Sequence, residues 1–471
     1  MPGSKRPGDM NIYLETFGCQ MNRLDSELIT ARLRAAGHAM VDDPAAAEAV
    51  LYNTCSVREH AEEKVFSRLG VDAQRRSAGK RLIVAVIGCM AQRYGAKIRK
   101  RSGIVDVVCG PGQIHRLPEL LAETAERPAD ALDPPRSAGG DPAAESGMDR
   151  LDATRDPSAT ASPTQAFVRI ARGCDNFCSY CIVPYVRGAE RSRRPDAIAE
   201  EVRRLVGAGR SEITLLGQTV NRYRHQAGET TVRFSDLLER LSPIPGLRRL
   251  RFVTSHPKDF GNDVLDAMAA LPNVCEYIHC PAQSGSDAML AAMNRHYTRA
   301  EYDDLLARAR QRVGGVVFAG DFIVGFPGES QADHQASAEL IRQAGYKNSF
   351  VFKYSPRPGT AAAKRLADDV PEAVKKRRNN ELLAVQQEVG AAHHAGYVGR
   401  RLEVLVEGPS PRADKQPTLA PPGCTQLIGR TRWDHIVVFD GPEGLANGYV
   451  EVDITASNAL TLFGALPEAV S

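Results

Sequence analysis

The chain has 471 residues, 43 % apolar and 25 % charged, a soluble globular composition too long for one ordinary domain, so two to four are expected. Its 60 basic and 57 acidic side chains leave a formal charge of only +3, so any case for a nucleic-acid partner rests on local patches. The longest apolar run, 82–87, is strand-sized and residues 1–10 lack the apolar core of a signal peptide, which argues against a membrane protein; the ten cysteines then read as reduced, metal-binding or packed thiols of a cytoplasmic protein.

Residues 11–17 read as a strand, 25–36 as a helix, 50–53 as a strand, 57–76 as a helix, and 82–87 and 105–108 as strands. This alternation predicts an N-terminal domain over 10–126 built on a doubly wound parallel sheet. Residues 127–164 hold no aromatic side chain and are rich in Pro, Ala, Asp and Ser, the composition of a flexible linker. A second alternation occupies 165–395. Strands fall at 167–171, 212–216, 249–253, 275–279, 316–324 and 349–352, and helices at 195–208, 234–241, 262–270, 299–313 and 331–344. Six βα units predict a partial barrel, open where a full one would close, ended by a long polar helix over 371–394. From 396 to 465 the period becomes two, with short strands at 402–406, 426–431, 435–439 and 449–454, which predict a small antiparallel β-barrel. The fold class is α/β with a C-terminal all-β module.

Cys19, Cys55 and Cys89 each follow a strand of the first domain, 36 and 34 residues apart, about one strand–helix–strand unit. They therefore fall at the carboxyl edge of one parallel sheet, where such folds bind ligands, on strands about 5 Å apart. A single free cysteine is more often a small packed hydrophobe, but three at equivalent strand ends favour a shared metal cluster. Cys109 also ends a strand, so position alone leaves it open as a fourth ligand.

The central domain opens with Cys174, Cys178 and Cys181, a C-x3-C-x2-C triplet. The next Cys and His are Cys275 and His225, and upstream the nearest are Cys109 and His115, so no neighbour completes the closed set of a structural zinc site. Three thiolates on one loop suit an iron–sulfur cube with one iron open to substrate, against the competing reading of a zinc or redox C-x2-C pair. Arg169, Arg172, Arg187, Arg191, Arg193 and Arg194 surround the triplet and alternate with Phe177, Tyr180 and Tyr185. That mixture suits RNA phosphates and stacked bases as well as an ordinary solvated face; Arg187 and Arg193 are the RNA contacts expected here. Three strand-end loops share one rim: Gly217-Gln218-Thr219-Val220-Asn221, Cys280-Pro281-Ala282-Gln283-Ser284-Gly285 and Gly325-Phe326-Pro327-Gly328-Glu329. Glycine there admits close backbone approach and the polar side chains offer hydrogen bonds to a small molecule. In the C-terminal module Arg430, Arg432, Trp433 and His435 share one hairpin, with Arg430 and Arg432 read as RNA contacts and Trp433 as packing.

Together these stretches resemble the radical S-adenosylmethionine (SAM) methylthiotransferases from about residue 10 to residue 464. The resemblance is carried by Thr16-Phe17-Gly18-Cys19-Gln20-Met21-Asn22, Asn53-Thr54-Cys55-Ser56-Val57-Arg58-Glu59, Gly88-Cys89-Met90-Ala91-Gln92 and Arg172-Gly173-Cys174 through Arg187-Gly188. Further on it is carried by Gln283-Ser284-Gly285-Ser286 and Tyr354-Ser355-Pro356-Arg357-Pro358-Gly359-Thr360. Gly429-Arg430-Thr431 and Val452-Asp453-Ile454-Thr455 are similar to a TRAM RNA-binding domain. The residues after Cys19 and Cys55 point to the bacterial branch that modifies isopentenylated adenosine in tRNA, since relatives acting on a ribosomal-protein aspartate or on threonylcarbamoyl-adenosine carry others there.

The resemblance implies two 4Fe-4S clusters and SAM. Cys174, Cys178 and Cys181 would hold the cluster that chelates SAM and cleaves it to a 5′-deoxyadenosyl radical. Tyr180 would lie against the adenine, and Gly217, Gln218, Asn221, Gln283, Ser284 and Gly325 would complete the cradle. Cys19, Cys55 and Cys89 would hold an auxiliary cluster that carries the sulfur. The implied reaction takes hydrogen from C2 of N(6)-dimethylallyladenosine 37 in the tRNA anticodon loop, inserts sulfur and adds a methyl group from a second SAM. The protein would act as a cytoplasmic monomer served by a low-potential electron donor. Cys109 and Cys280 depart from the family pattern and are expected to be a packed thiol and a neutral replacement. Two rivals stand: a methylthiotransferase for another tRNA adenosine or a ribosomal-protein side chain, and a non-catalytic iron–sulfur RNA-binding redox sensor.

Overall fold

A computed structural model describes residues 9–56, 59–124, 128–133, 142–411 and 423–467. The chain begins with β1 (Asn11–Phe17), α1 (Gln20–Ala35), β2 (Ala39–Met40), β3 (Ala49–Thr54), α2 (Glu59–Ser77), β4 (Ile83–Gly88), α3 (Cys89–Tyr94), β5 (Val107–Cys109) and β6 (Ala129–Ala131). The six strands are parallel in the order β2-β1-β3-β4-β5-β6. β3 and β4 are near-continuous apolar runs because helices cover both faces of a parallel sheet, and every residue of β3 is buried. Register sets the site: Phe17 pairs with Thr54 and Thr54 with Gly88, so β1, β3 and β4 end in one row and release Cys19, Cys55 and Cys89 side by side.

The expectation of a structureless linker over 127–164 is corrected at both ends. Residues 129–131 form the sixth strand of the sheet, and α4 (Pro142–Ala153) is a regular helix; 134–141 lie outside the described residues. Ala144, Met148 and Leu151 recur at i, i+4 and i+7, a narrow apolar stripe. Met148 and Leu151 join the core beneath α1. So small a stripe suffices because the surface it covers is already built by α1 and the sheet.

The central domain comprises β7 (Gln165–Arg169), α5 (Pro195–Gly207), β8 (Glu212–Leu216), α6 (Phe234–Leu241), β9 (Arg249–Phe252), α7 (Asn262–Ala270), β10 (Tyr277–His279), α8 (Arg299–Arg312), β11 (Val317–Val324), α9 (Gln331–Ala344), β12 (Asn348–Lys353) and α10 (Glu372–Ala395). Two three-stranded parallel sheets, β7-β8-β9 and β10-β11-β12, are joined by a bridge between Leu250 and Val274, which gives six strands in chain order and an open seam between β7 and β12. One face of the strands packs the large helix-side core. Alternate residues, among them Phe167, Thr214, Arg251, Val253, Tyr277 and His279, line a cavity of about 1160 Å³. Thr298 and Ser330 begin α8 and α9 as capping boxes with Glu301 and Asp333.

The C-terminal module is a closed five-stranded barrel of β13 (Arg401–Pro409), β14 (Cys424–Arg430), β15 (Ile436–Pro442), β16 (Tyr449–Ser457) and β17 (Thr461–Ala465), in the order β13-β14-β15-β17-β16. The last strand closes the barrel and was not among those expected. The barrel caps the amino ends of the central strands: Arg249 donates to Arg430 O at 2.9 Å, Arg251 donates to Thr431 O and Arg432 O at 2.6 and 2.8 Å, and Lys347 pairs with Asp434 at 2.8 Å. No helix among the described residues is long and apolar enough to cross a membrane.

Candidate active site

Local chemistry shapes the three strand ends of the first sheet. Gly88 takes φ +85° to turn β4 directly into α3, whose first residue is Cys89. Asn22 Nδ2 donates to Asn53 Oδ1, and Asn53 Nδ2 donates to Asn22 O and Ser26 Oγ, all at 2.9 Å, so buried amides lock the first two loops together. A hydrogen bond with Cys55 and the nearby Arg187 charge pull the Cys19 thiol down to about 5, against the opposing effect of burial. Burial pushes the Cys89 thiol up, although Arg187 Nε donates to its Sγ at 3.2 Å. Arg187 Nη2 also holds Asp25 Oδ2 at 3.1 Å.

Arg187 belongs to the central domain, six residues beyond Cys181, so the segment after one cysteine triplet reaches into the other. The triplet sits on a loop that Gly173 makes possible. Gly173 has φ +71°, and a Cβ there would lie 2.0 Å from Ala189 O. Cys174 N donates to Gly188 O at 3.2 Å and Cys181 N to Cys178 O at 2.9 Å. Burial raises the Cys174 and Cys181 thiols, Cys181 to about 12, with the neighbouring cysteines adding to the rise. Buried Arg295 donates to Cys178 Sγ at 3.4 Å and to Pro281 O at 2.9 Å.

These two sets fit iron–sulfur clusters in donor chemistry, since each gathers three thiols with a guanidinium on one of the sulfurs. Among the described residues no three His, Cys, Asp or Glu group tightly enough to grip a single ion. Thiolates sharing one tetrahedral zinc stand roughly 3.8 Å apart, whereas those on separate corners of a cube are further apart. Cys109 is not part of the first set: it is fully buried in the core, and its charged neighbours are Asp133 and Arg116. Cys280 is likewise sealed in the helix-side core, where burial pushes its thiol up to about 12.

The rim residues divide. Tyr180 packs beside the triplet against Met289, Met293, Phe326 and Tyr354. Gly217 and Gln218 follow β8 on the same rim, and Gln283 takes φ +69° between backbone bonds to Asp321 O and Ile323 N. Asn221, expected to touch a ligand, instead closes on the His256 backbone, donating to its O at 2.8 Å and accepting from its N at 2.9 Å. Ser284 accepts from Ser286 N at 3.2 Å and meets Ser337 Oγ at 3.3 Å. Gly325 donates to Glu329 Oε2 at 2.8 Å, and a Cβ there would strike Lys375. The bonds of all three hold the rim loops in place.

The four arginines expected to meet RNA all have partners within the protein. Arg193 is interior, pairing with Glu201 at 2.8 Å and Asp152 at 3.4 Å, in a network with Arg169, Asp25, Arg155 and Glu27 that fastens the first domain to the second. Arg187 is spent on Cys89 and Asp25. Arg430 pairs with Glu407 and Asp434 inside the barrel, and Arg432 pairs with Glu276 and so docks the barrel on the central domain. The Arg295–Cys178 and Arg187–Cys89 bonds leave no local signal in the sequence, because the partners lie 117 and 98 residues apart. His256 was also missed. It is buried beside Arg295 and Tyr297, and burial pulls its imidazole down to about 2.

Residues 11–110 match the model of the Uncharacterized protein family UPF0004, and 168–341 that of the Radical SAM superfamily. A tRNA-2-methylthio-N(6)-dimethylallyladenosine synthase of Rhodopirellula baltica is 45 % identical over 96 % of this chain and 95 % of its own. The chain belongs to this synthase family. The synthase of Moorella thermoacetica is 41 % identical over 95 % of this chain and 96 % of its own. The first matched region carries Cys19, Cys55 and Cys89 and the second carries Cys174, Cys178 and Cys181. Among solved structures, the radical S-adenosylmethionine methyltransferase TsrM from Kitasatospora setae superposes with a TM-score of 0.54 at 16 % identity, covering 75 % of this chain and 74 % of that one, a likeness of fold.

Proposed function

We propose that the chain is a radical SAM methylthiotransferase that converts N(6)-dimethylallyladenosine 37 of tRNA to its 2-methylthio derivative, turning a C–H into a C–S bond and then methylating the sulfur. The observation that carries this reading is that two cysteine triplets from separate domains are linked through the segment after the second, whose Ile182 and Val186 pack on Cys89 and whose Arg187 bonds to it. When bound, SAM and the 4Fe-4S clusters supply a radical strong enough to take hydrogen from an unactivated carbon and the sulfur that replaces it.

The protein's own residues position that chemistry. Cys174, Cys178 and Cys181 hold one cluster and Cys19, Cys55 and Cys89 the other. Arg295 and Arg187 each place a guanidinium on a ligand sulfur, which offsets thiolate charge and fixes the loops. Tyr180, Gly217, Gln218 and Gln283 face SAM, while Asn221, Ser284 and Gly325 keep their loops in place. The division of labour follows 10–126 for sulfur, 165–395 for radical formation and 396–465 for RNA. A low-potential electron donor serves a cytoplasmic monomer. Nucleoside analysis of tRNA from a strain lacking this gene tests the substrate: loss of 2-methylthio-N(6)-dimethylallyladenosine is expected. Its persistence would transfer the chain to another tRNA adenosine or a ribosomal-protein side chain. Absence of 5′-deoxyadenosine from the reduced, reconstituted protein would favour a redox sensor.

A further inference from the structure

Helix α4 has two faces that do different things. Met148 and Leu151 join the core of the first domain. Glu145, Asp149 and Asp152, at i, i+4 and i+7, form a second face about 100° around the axis. That face meets arginines of the central domain. Glu145 pairs with Arg191, Asp149 with Arg172, and Asp152 with Arg169 at 2.6 Å, Arg172 at 3.2 Å and Arg193 at 3.4 Å. Residues 171–172 pair antiparallel with 191–192, so these contacts grip the neck of the loop that carries Cys174, Cys178 and Cys181.

Asp152 also begins a chain of buried charges that ends on the other cysteine set. Arg169 reaches on from Asp152 to Asp25 at 2.9 Å, Asp25 holds Arg187 at 3.1 Å, and Arg187 donates to Cys89 Sγ at 3.2 Å. The side chains of Asp152, Arg169 and Asp25 are buried throughout. Apolar packing would join two domains as firmly and tolerate sliding. A buried ion array adds little net stability, but any displacement leaves a charge without its partner, so it holds a single alignment.

We infer that Asp152 is a positioning residue that sets the alignment of the two cysteine sets, so that the segment joining the domains also fixes the geometry between their clusters. The inference rests on the function proposed above, in which hydrogen removal and sulfur insertion act on one carbon. Radical formation needs the Cys174 set alone, whereas sulfur insertion needs both sets in register. Misplacement by about 1 Å at a reacting centre costs about a hundredfold in rate. Loss of Asp152 therefore separates the two half-reactions rather than abolishing the first.

The test compares reconstituted full-length wild type with Asp152→Asn, which keeps the shape of the side chain and removes its charge. Mass spectrometry gives methylthiolated nucleoside per 5′-deoxyadenosine. EPR of the reduced protein gives the magnetic interaction between the clusters, which falls steeply with their separation. Asp152→Asn is expected to keep wild-type iron content and SAM cleavage while product per 5′-deoxyadenosine falls about tenfold or more and the intercluster signature changes. Asp152→Glu should recover part of both. Glu145→Gln, at an exposed pair on the same face, should change neither. If Asp152→Asn does not load both clusters, Arg172→Gln removes one arm of the same carboxylate and should move both readouts in the same direction. A product ratio or an intercluster signature that stays at the wild-type value would overturn the positioning role. Wild-type protein that carries both clusters and cleaves SAM yet forms no methylthiolated nucleoside would overturn the proposed function alone, and the EPR comparison would still decide the alignment.

Discussion

Replacing Arg187 by Gln removes a side chain that ties the segment after the central triplet to Cys89 and Asp25. Arg187 is 9 % and Asp25 1 % exposed, and their ion pair spans 3.1 Å. Deleting one partner of a buried pair costs about 3–5 kcal/mol. Asp25 keeps Arg169 at 2.9 Å, and Gln can still donate one hydrogen bond, so about 2–3 kcal/mol is expected at this interface. Hydrogen exchange reads that loss locally: amides of α1 and of residues 174–188 should exchange roughly 30- to 150-fold faster, with the C-terminal barrel unaffected. Hydrogen bonds to ligand sulfurs raise cluster potentials, so loss of the Arg187–Cys89 bond should lower the midpoint potential of the auxiliary cluster and leave the other in place. Arg187→Lys keeps the charge without the fork and should recover only part of both effects. Exchange within twofold of wild type together with an unmoved potential would refute the bridging role.

Cys19→Ala should cost about four irons per chain and Cys109→Ala none, as counted by iron and sulfide assay after anaerobic reconstitution. Gly173→Ala forces a left-handed φ and a clash with Ala189 O; a loss of about 2 kcal/mol or more in the cluster loop should appear as failure to load the SAM-binding cluster in iron titration, with the auxiliary one retained. Burial holds His393 down to about 4 and also lowers His394 and His435, beside Lys347 and Asp434, where α10 meets the barrel. A depressed imidazole is neutral when folded, so its contribution is complete above about pH 6.5 and is lost as pH falls toward 4. The slope is up to about 1.4 kcal/mol per pH unit for each proton bound. Limited proteolysis should therefore release the 401–465 barrel at pH 5 and not at pH 7.5; equal rates would contradict this.

Much of the fold was legible because it rests on local patterns. β8, α6, α7 and α9 fall where period and punctuation put them, and the strand-end cysteines follow from counting βα units. The helix at 142–153 was hidden because its stripe is only Ala144, Met148 and Leu151, and bulk composition outweighed that spacing. α1 begins five residues earlier than expected, directly after Cys19, because Gln20-Met21-Asn22 has no local start signal; tertiary bonds of Asn22 to Asn53 hold that turn. The thiols of the candidate site stand out in the sequence, and the arginine bonds beside them do not. Cysteine spacing is a local signal, whereas Arg193 and Arg187 look like a basic surface until their carboxylate and thiol partners, which lie in other elements, are in place. The bonds of Asn221 to His256 and of Ser284 to Ser337 were illegible for the same reason, since those partners lie 35 and 53 residues away.

The most direct measurement is mass spectrometry of tRNA nucleosides after anaerobic reaction of the reduced, cluster-loaded protein with SAM and isopentenylated tRNA. The account predicts 2-methylthio-N(6)-dimethylallyladenosine with matching 5′-deoxyadenosine, lost in both Cys174→Ala and Cys19→Ala, while Cys19→Ala still releases 5′-deoxyadenosine. SAM cleavage by wild-type protein with no methylthiolated nucleoside would contradict it.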